Sequence, residues 1–263
     1  MIIAGALFWF FFARPDEHPF GRGQAKKNKL KSAKRKNAMN DTISVNEDGS
    51  PVVYKNSLGA RIFAQLFSYL FHPLFIPVYV ILFLAYLHPS AFTGFSEHAR
   101  RQSVFIVILN IVFFPLISVL LLRAVGFIDS IYLHTKKDRI IPYMACGIFF
   151  FWAYTVFKEQ PRYPLLLTSF IFGIFLASSA GLMANIYYKI SLHAIGMGGW
   201  LGFFAIIAAG NSMHMSWPLA AVIILTGAVC TARLIISDHS RKDVYTGLIV
   251  GFVCQVVAAW FVM

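Results

Sequence analysis

Seven stretches of this chain run through apolar side chains almost without interruption: about 62–87, 103–127, 140–157, 164–187, 194–211, 216–236 and 244–262. A helix needs about 20 such residues to cross the roughly 30 Å hydrocarbon core of a bilayer. The strands of an outer-membrane barrel would instead appear as segments of about ten residues with alternating polarity. Hydrocarbon offers the backbone no water, so a continuous apolar run satisfies its own N–H and C=O groups as a helix. The pattern predicts an all-α, polytopic transmembrane helix bundle of about seven spans. Charge placement points the same way. Charged residues are 13% of the 263, about half of the roughly 25% usual in soluble domains. Beyond Asn56 the acids are only Glu97, Asp129, Asp138, Glu159, Asp238 and Asp243, too few to coat a soluble surface. A charge inside a lipid-facing helix is expensive, and these residues fall between or at the ends of the runs. Connections are short, as at Lys158–Tyr163 and Gly210–Ser216. Tyr132, Tyr143, Tyr187, Tyr188, Trp217 and Trp260 fall near span ends, where aromatic belts are expected.

Residues 1–58 differ in composition and read as a basic, largely disordered tail, with residues 59–263 forming the transmembrane domain. Residues 14–36 carry nine Lys or Arg against Asp16 and Glu17, which accounts for most of the net charge of +12. A basic run of this kind suits nucleic acid or anionic lipid, but a solvated cytoplasmic tail needs neither, and no nucleic-acid partner is expected. The charges follow the apolar stretch 2–13 instead of preceding it, unlike a signal peptide. A chain starting at Met39 is expected to insert and behave like the full one. Cys146, Cys230 and Cys254 lie in apolar runs with no paired spacing, and read as small buried hydrophobes.

Polar residues gather at span ends in three clusters: His134 to Pro142, Lys189 to His193, and Arg233 to Asp243. Two spans separate each cluster from the next, so all three are expected on one face of the membrane. In the third, His239 follows Arg233 by six positions and Asp243 follows His239 by four. If His239 opens the last helix, Asp243 lies one turn on along the same face. A carboxylate there can fix the imidazole tautomer and leave the other nitrogen free to attack. Arg233 brings the planar fork that suits phosphate oxygens, and a helix N-terminus adds donors for an anion. In the second cluster, Ser191 and His193 precede Gly196, Gly198 and Gly199. The histidine can protonate a leaving alkoxide, and the glycines allow close approach of a neighbouring helix or a substrate. The first cluster supplies Arg139, Lys136 and Lys137, enough to complete a cationic clamp.

This constellation resembles the type 2 phosphatidic acid phosphatase superfamily, which includes the vanadium haloperoxidases. Its third motif, Ser-Arg-x5-His-x3-Asp, reads Ala232-Arg233-x5-His239-x3-Asp243, with alanine for serine. The second, Pro-Ser-Gly-His, reads Ile190-Ser191-Leu192-His193, keeping only serine and histidine. The first, Lys-x6-Arg-Pro, is displaced: Arg139 has its proline at Pro142, and Tyr132 stands where the lysine belongs. The likeness covers about residues 128–250, and a first span rich in His-Pro, as in Phe71-His72-Pro73-Leu74-Phe75, is similar to a degenerate bacterial branch. The resemblance implies a six-helix phosphatase-like core in the bacterial inner (plasma) membrane. It implies His239 as nucleophile forming a phosphohistidine, Asp243 as its orienting carboxylate and His193 as general acid. Arg233, Arg139, Lys136, Lys137 and Ser191 would bind phosphate, with no metal or other cofactor. The substrate would be a phosphomonoester or pyrophosphate of a lipid; the alternative is a protein of the same fold that binds or transports a lipid phosphate without turnover.

His72, Asn110, Asn185 and Gln255 are polar residues within spans and read first as helix-to-helix hydrogen bonds. Gly247-x3-Gly251 reads as close helix packing. The excess of Lys and Arg predicts a cytoplasmic site, whereas the resemblance implies the outer side.

Overall fold

The computed structural model describes residues 41–45, 51–55, 57–88, 90–127, 136–187, 190–210, 215–236 and 240–263. For the two short strands and residues 136–139 the description is of the backbone. The chain divides into two units, Met1–Ser57 and Leu58–Met263, next to the boundary read from composition. In the first unit, β1 (Asp41–Val45) and β2 (Pro51–Lys55) pair antiparallel, with Asp41 opposite Lys55 and Val45 opposite Pro51. This hairpin is an element that the composition of the tail does not announce.

The second unit is helical. Its elements are α1 (Leu58–Leu70), α2 (Ile76–Leu87), α3 (Glu97–Ala124), α4 (Lys136–Lys158), α5 (Leu165–Tyr187), α6 (Leu192–Ala209), α7 (Ser216–Ile235) and α8 (Arg241–Val262). The described residues hold 6 helices long and apolar enough to cross a membrane, α3 to α8. Their outward faces stay apolar, as at Ile148, Trp152, Ile224 and Ile249, which suits lipid rather than water. Tyr187, Trp217 and Trp260 are exposed near helix ends, as a belt requires. Tyr143 departs from that expectation: it is buried, in a position where a Cβ on Gly181 would meet its ring at 3.2 Å and Ile195 at 3.3 Å. The three cysteines are free and only partly buried.

The first of the seven expected spans is not a continuous helix. It breaks after Leu70 into α1, of 13 residues, and α2, with 7 residues of α-helix and 5 of π-helix. At 1.5 Å per residue α1 reaches about 20 Å, short of the hydrocarbon thickness. Pro73 explains the break, because it lacks an N–H and disfavours helical backbone at His72. Pro77 then sits in the first turn of α2, where a missing N–H costs nothing. In α3 a π turn at Leu109–Phe113 directly precedes Pro115 and absorbs the mismatch within one helix.

Helix α8 packs on α6 and α5, α4 on α5, and α7 on α6 and α1. The α6–α8 contact depends on missing side chains. A Cβ on Gly198 would run into the carbonyl of Leu248, and one on Gly251 into the carbonyl of Ile195. One on Gly247 would meet the Ser191 carbonyl at 2.9 Å, so the close packing read from Gly247 and Gly251 is realised. Gln255 crosses to α5, its Nε2 donating to the Ser169 carbonyl at 3.4 Å. Asn110 bonds within its own helix, to the Ile106 carbonyl at 2.8 Å.

Candidate functional site

The consecutive antiparallel helices bring the starts of α4, α6 and α8 and the ends of α5 and α7 to one end of the bundle. The described parts of the three polar clusters therefore belong to that end. Ser191 caps α6: its hydroxyl accepts from Ala194 N at 3.4 Å, and its own N–H donates to the Asp243 carbonyl at 3.3 Å. That second bond ties the start of α6 to the first turn of α8. Ser191 is completely buried, and its hydroxyl serves the cap.

His193, the second residue of α6, donates from Nε2 to the Ser68 carbonyl at 3.0 Å. A carbonyl only accepts, so Nε2 carries the proton. The bond answers a need of α1, whose last four carbonyls have no partner further along the helix. Each finds one. Phe67 accepts from Phe71 N at 3.0 Å, Ser68 from His193, Tyr69 from His72 N at 3.3 Å, and Leu70 from the Tyr79 hydroxyl at 2.8 Å. The residue that the motif nominates as an acid is thus also the anchor of a broken helix.

The break places His72 beside His193, ring centroids 5.2 Å apart and edge to face. His72 Nδ1 accepts from Leu74 N at 3.3 Å, and Arg233 lies near enough for its charge to act on the His72 ring. Gly196 makes room for the turn, since a Cβ there would meet Ile76 at 2.9 Å and Pro73 at 3.0 Å. Phe71, Tyr79 and Trp200 hold it from the side, Tyr79 stacked on Trp200 at 5.8 Å and Phe71 at 6.1 Å from Trp200. His72 was read as an in-span polar residue; the structure moves it to the site. A histidine followed by proline inside an apolar run was the available signal, because that pair breaks a helix and exposes a polar group at the break.

Arg233 lies in the last turn of α7, partly buried. Asp243 is the third residue of α8 and forms a capping box. The Ser240 hydroxyl accepts from Asp243 N at 3.2 Å, and Asp243 Oδ2 accepts from Ser240 N at 2.8 Å. His239 therefore does not open the last helix, as the spacing suggested. The helix begins at Arg241 behind the Ser240 cap, and His239 precedes that cap. His239 itself lies outside the described residues, as do His134 and Lys189. Lys136, Lys137 and Arg139 lie in the first turns of α4, at the same end of the bundle, with their side chains outside the description.

Below this end, a cavity of about 220 Å³ opens between the His72 turn and helices α3, α4, α5, α6 and α8. His72 and Leu192 mark its polar end and Phe170 and Gln255 its depth. The arrangement gathers two imidazoles, a guanidinium and the N-termini of three helices at one end of an apolar bundle. Helix N-termini and guanidinium both favour an oxyanion, and His193, whose Nε2–H is held by the Ser68 carbonyl, can exchange a proton with it only through Nδ1. Comparison of the chain with protein-family models, with curated proteins and with solved structures found no match.

Proposed function

We propose that this integral membrane protein is a lipid phosphatase, hydrolysing a phosphomonoester or pyrophosphate on a lipid through a phosphohistidine. The observation that carries the reading is the turn at His72, which packs against His193 at the end of the bundle where α7 closes on Arg233. A polar cluster with that composition, at the end of membrane-crossing helices, meets a headgroup while the tail remains among apolar residues. In this reading a nitrogen of His239 attacks phosphorus and the bond from phosphorus to the leaving oxygen breaks. His193, its Nε2–H held by the Ser68 carbonyl, supplies from Nδ1 of its imidazolium the proton that the leaving oxygen takes up. Water then attacks the phosphohistidine, giving its proton to His193 Nδ1 as the P–N bond breaks, which releases phosphate and restores both histidines. Arg233 holds the non-bridging oxygens, helped by Arg139, Lys136 and Lys137 from α4. Ser191 is left out of the phosphate contacts, because it is completely buried where the starts of α6 and α8 meet.

The test is phosphate release by purified protein in detergent, across phosphatidic acid, phosphatidylglycerophosphate and a polyprenyl pyrophosphate. Release from at least one, abolished in His239→Ala, is the expected result. Equal release by the variant would remove the nucleophile and the reading with it. One observation favours a second reading, a binder or transporter of lipid phosphate: Asp243 Oδ2 is occupied by the Ser240 N–H, a purely structural duty. Saturable binding of the lipids with no release from any of them would select that reading.

A further inference from the structure

We infer that the cavity under the His72 turn receives one apolar chain of a phosphorylated amphiphile, whose anionic head rests at Arg233 and His193. The inference takes the headgroup site from the function proposed above and adds where the tail goes. Protein interiors are close-packed with few voids larger than a water molecule, so an opening of about 220 Å³ between these helices is unusual. Its shape is readable from three helices independently. Lining residues run from Pro142 to Phe150 on α4, from Phe170 to Ser178 on α5 and from Leu192 to Trp200 on α6. Each interval is eight residues, so the cavity follows the helix axes for about 12 Å. With carbon–carbon bonds of about 1.5 Å advancing an extended chain by rather less than their length, about ten carbons fill that depth.

The width is set by small residues. Ala177, Ser178 and Gly199 line the cavity, leaving the space that larger side chains would take, while Gly173 and Gly196 yield theirs to Gln255 and to the Pro73 turn. A Cβ on Gly199 would meet nothing nearer than the Gly251 carbonyl at 3.8 Å, so α6–α8 packing alone does not demand glycine there. At the floor, Gln255 Nε2 donates to the Ser169 carbonyl, and the rest of the lining from Pro142 to Ile174 is apolar, so the wall suits hydrocarbon. At the mouth, His72 belongs to the lining and packs on His193, at the end of the bundle where α7 closes on Arg233. An amphiphile with one charged end and one slender apolar end matches both. A free phosphate would use only the mouth, and a neutral lipid only the interior.

The experiment is photolabelling of the purified full chain in detergent with a dodecyl phosphate carrying a diazirine at its terminal carbon. Dodecanol with the same diazirine and excess inorganic phosphate are the comparison arms. Labelled peptides mapping to Phe150, Phe170 and Ile174 are expected, with labelling reduced by inorganic phosphate and much weaker for the alcohol. Ala177→Phe and Cys146→Phe, which fill the cavity from two different helices, should each lower that labelling about tenfold, the equivalent of about 1.4 kcal/mol. Ile224→Phe, on the lipid-facing side of α7, should not. Labels confined to lipid-facing residues such as Ile224 and Trp260, or equal labelling by the alcohol, would overturn the inference. The mapping uses wild-type protein, so a poorly folded variant does not decide it. It also needs no turnover: cavity labelling without phosphate release from any lipid would uphold the tail site while removing the phosphatase reading.

Discussion

Under the proposed function, residues at the polar end carry two duties at once, and substitutions can separate them. Asp243 is half of a capping box and the proposed partner of His239. Asp243→Ala should lose about 1 kcal/mol of stability through the cap and most of the turnover. Ser240→Ala should lose a similar amount of stability but keep the carboxylate and, with it, activity. Thermal unfolding in detergent and phosphate release on the pair distinguish cap from catalysis. If Ser240→Ala is as inactive as Asp243→Ala, the carboxylate has only a structural role. His193 is parallel. Its removal leaves the Ser68 carbonyl unpaired, at about 1–3 kcal/mol, so loss of activity in His193→Ala would be ambiguous. His193→Gln keeps a donor for Ser68 without an acid. It should therefore stay folded while failing on lipid alkoxides, and should work better on an activated aryl phosphate that needs no protonation. Arg233→Lys should lower turnover despite the retained charge, because a point charge does not reproduce a two-pronged hold. These roles were only partly legible in sequence. Spacing nominates His193, Arg233 and Asp243, but a cap and a catalytic carboxylate look alike until the helix start is known, and that start falls at Arg241, two residues beyond His239.

Among the helices, the legible features were those decided locally. Apolar run length is a property of the segment alone, so α3 to α8 follow the expected runs closely. Gly247 and Gly251 declare their face by a four-residue spacing. The broken first span was harder to read, because total hydrophobicity is unchanged by a break. Its cause is Pro73, and its stability depends on partners distant in sequence: Tyr79 for the Leu70 carbonyl, His193 for Ser68, and Gly196 for Pro73 and Ile76. The hairpin of β1 and β2 was missed for a related reason, since two five-residue segments inside a polar tail carry little hydrophobic pattern. Element packing gives a sharp comparison between glycines. Gly251→Leu should drive a side chain into the Ile195 carbonyl and separate α6 from α8, with a large fall in melting temperature. Gly227, which has nothing within 4 Å of its would-be Cβ, should accept alanine with no loss and up to about 1 kcal/mol of gain from helix propensity. Equal behaviour of the two variants would mean that α6 and α8 are not held at this distance by backbone contact.

For the whole molecule, the order of spans decides which ends meet, and that order then decides sidedness. Counting from α3, the ends that carry the site hold Arg123, Lys136, Lys137, Arg139, Lys189, Arg233, Arg241 and Lys242, against Arg100, Arg101, Lys158 and Arg162 at the other ends. Acids are set aside, because they contribute little to orientation. The excess predicts that the site end faces the cytoplasm. Four of the residues behind it, Lys136, Lys137, Arg139 and Arg233, have a competing reason to be cationic if they bind phosphate. Without them the two sides hold four each, and orientation would no longer follow from charge. The competition is resolved by experiment rather than by counting. A single cysteine at Ser240, in a background lacking Cys146, Cys230 and Cys254, should resist a membrane-impermeant maleimide in intact cells and react once the membrane is opened. A cysteine at Arg162, on the opposite side, should show the reverse. If Ser240→Cys is labelled from outside intact cells, the site faces outward, the cationic residues at this end are there for the ligand, and their number says nothing about topology.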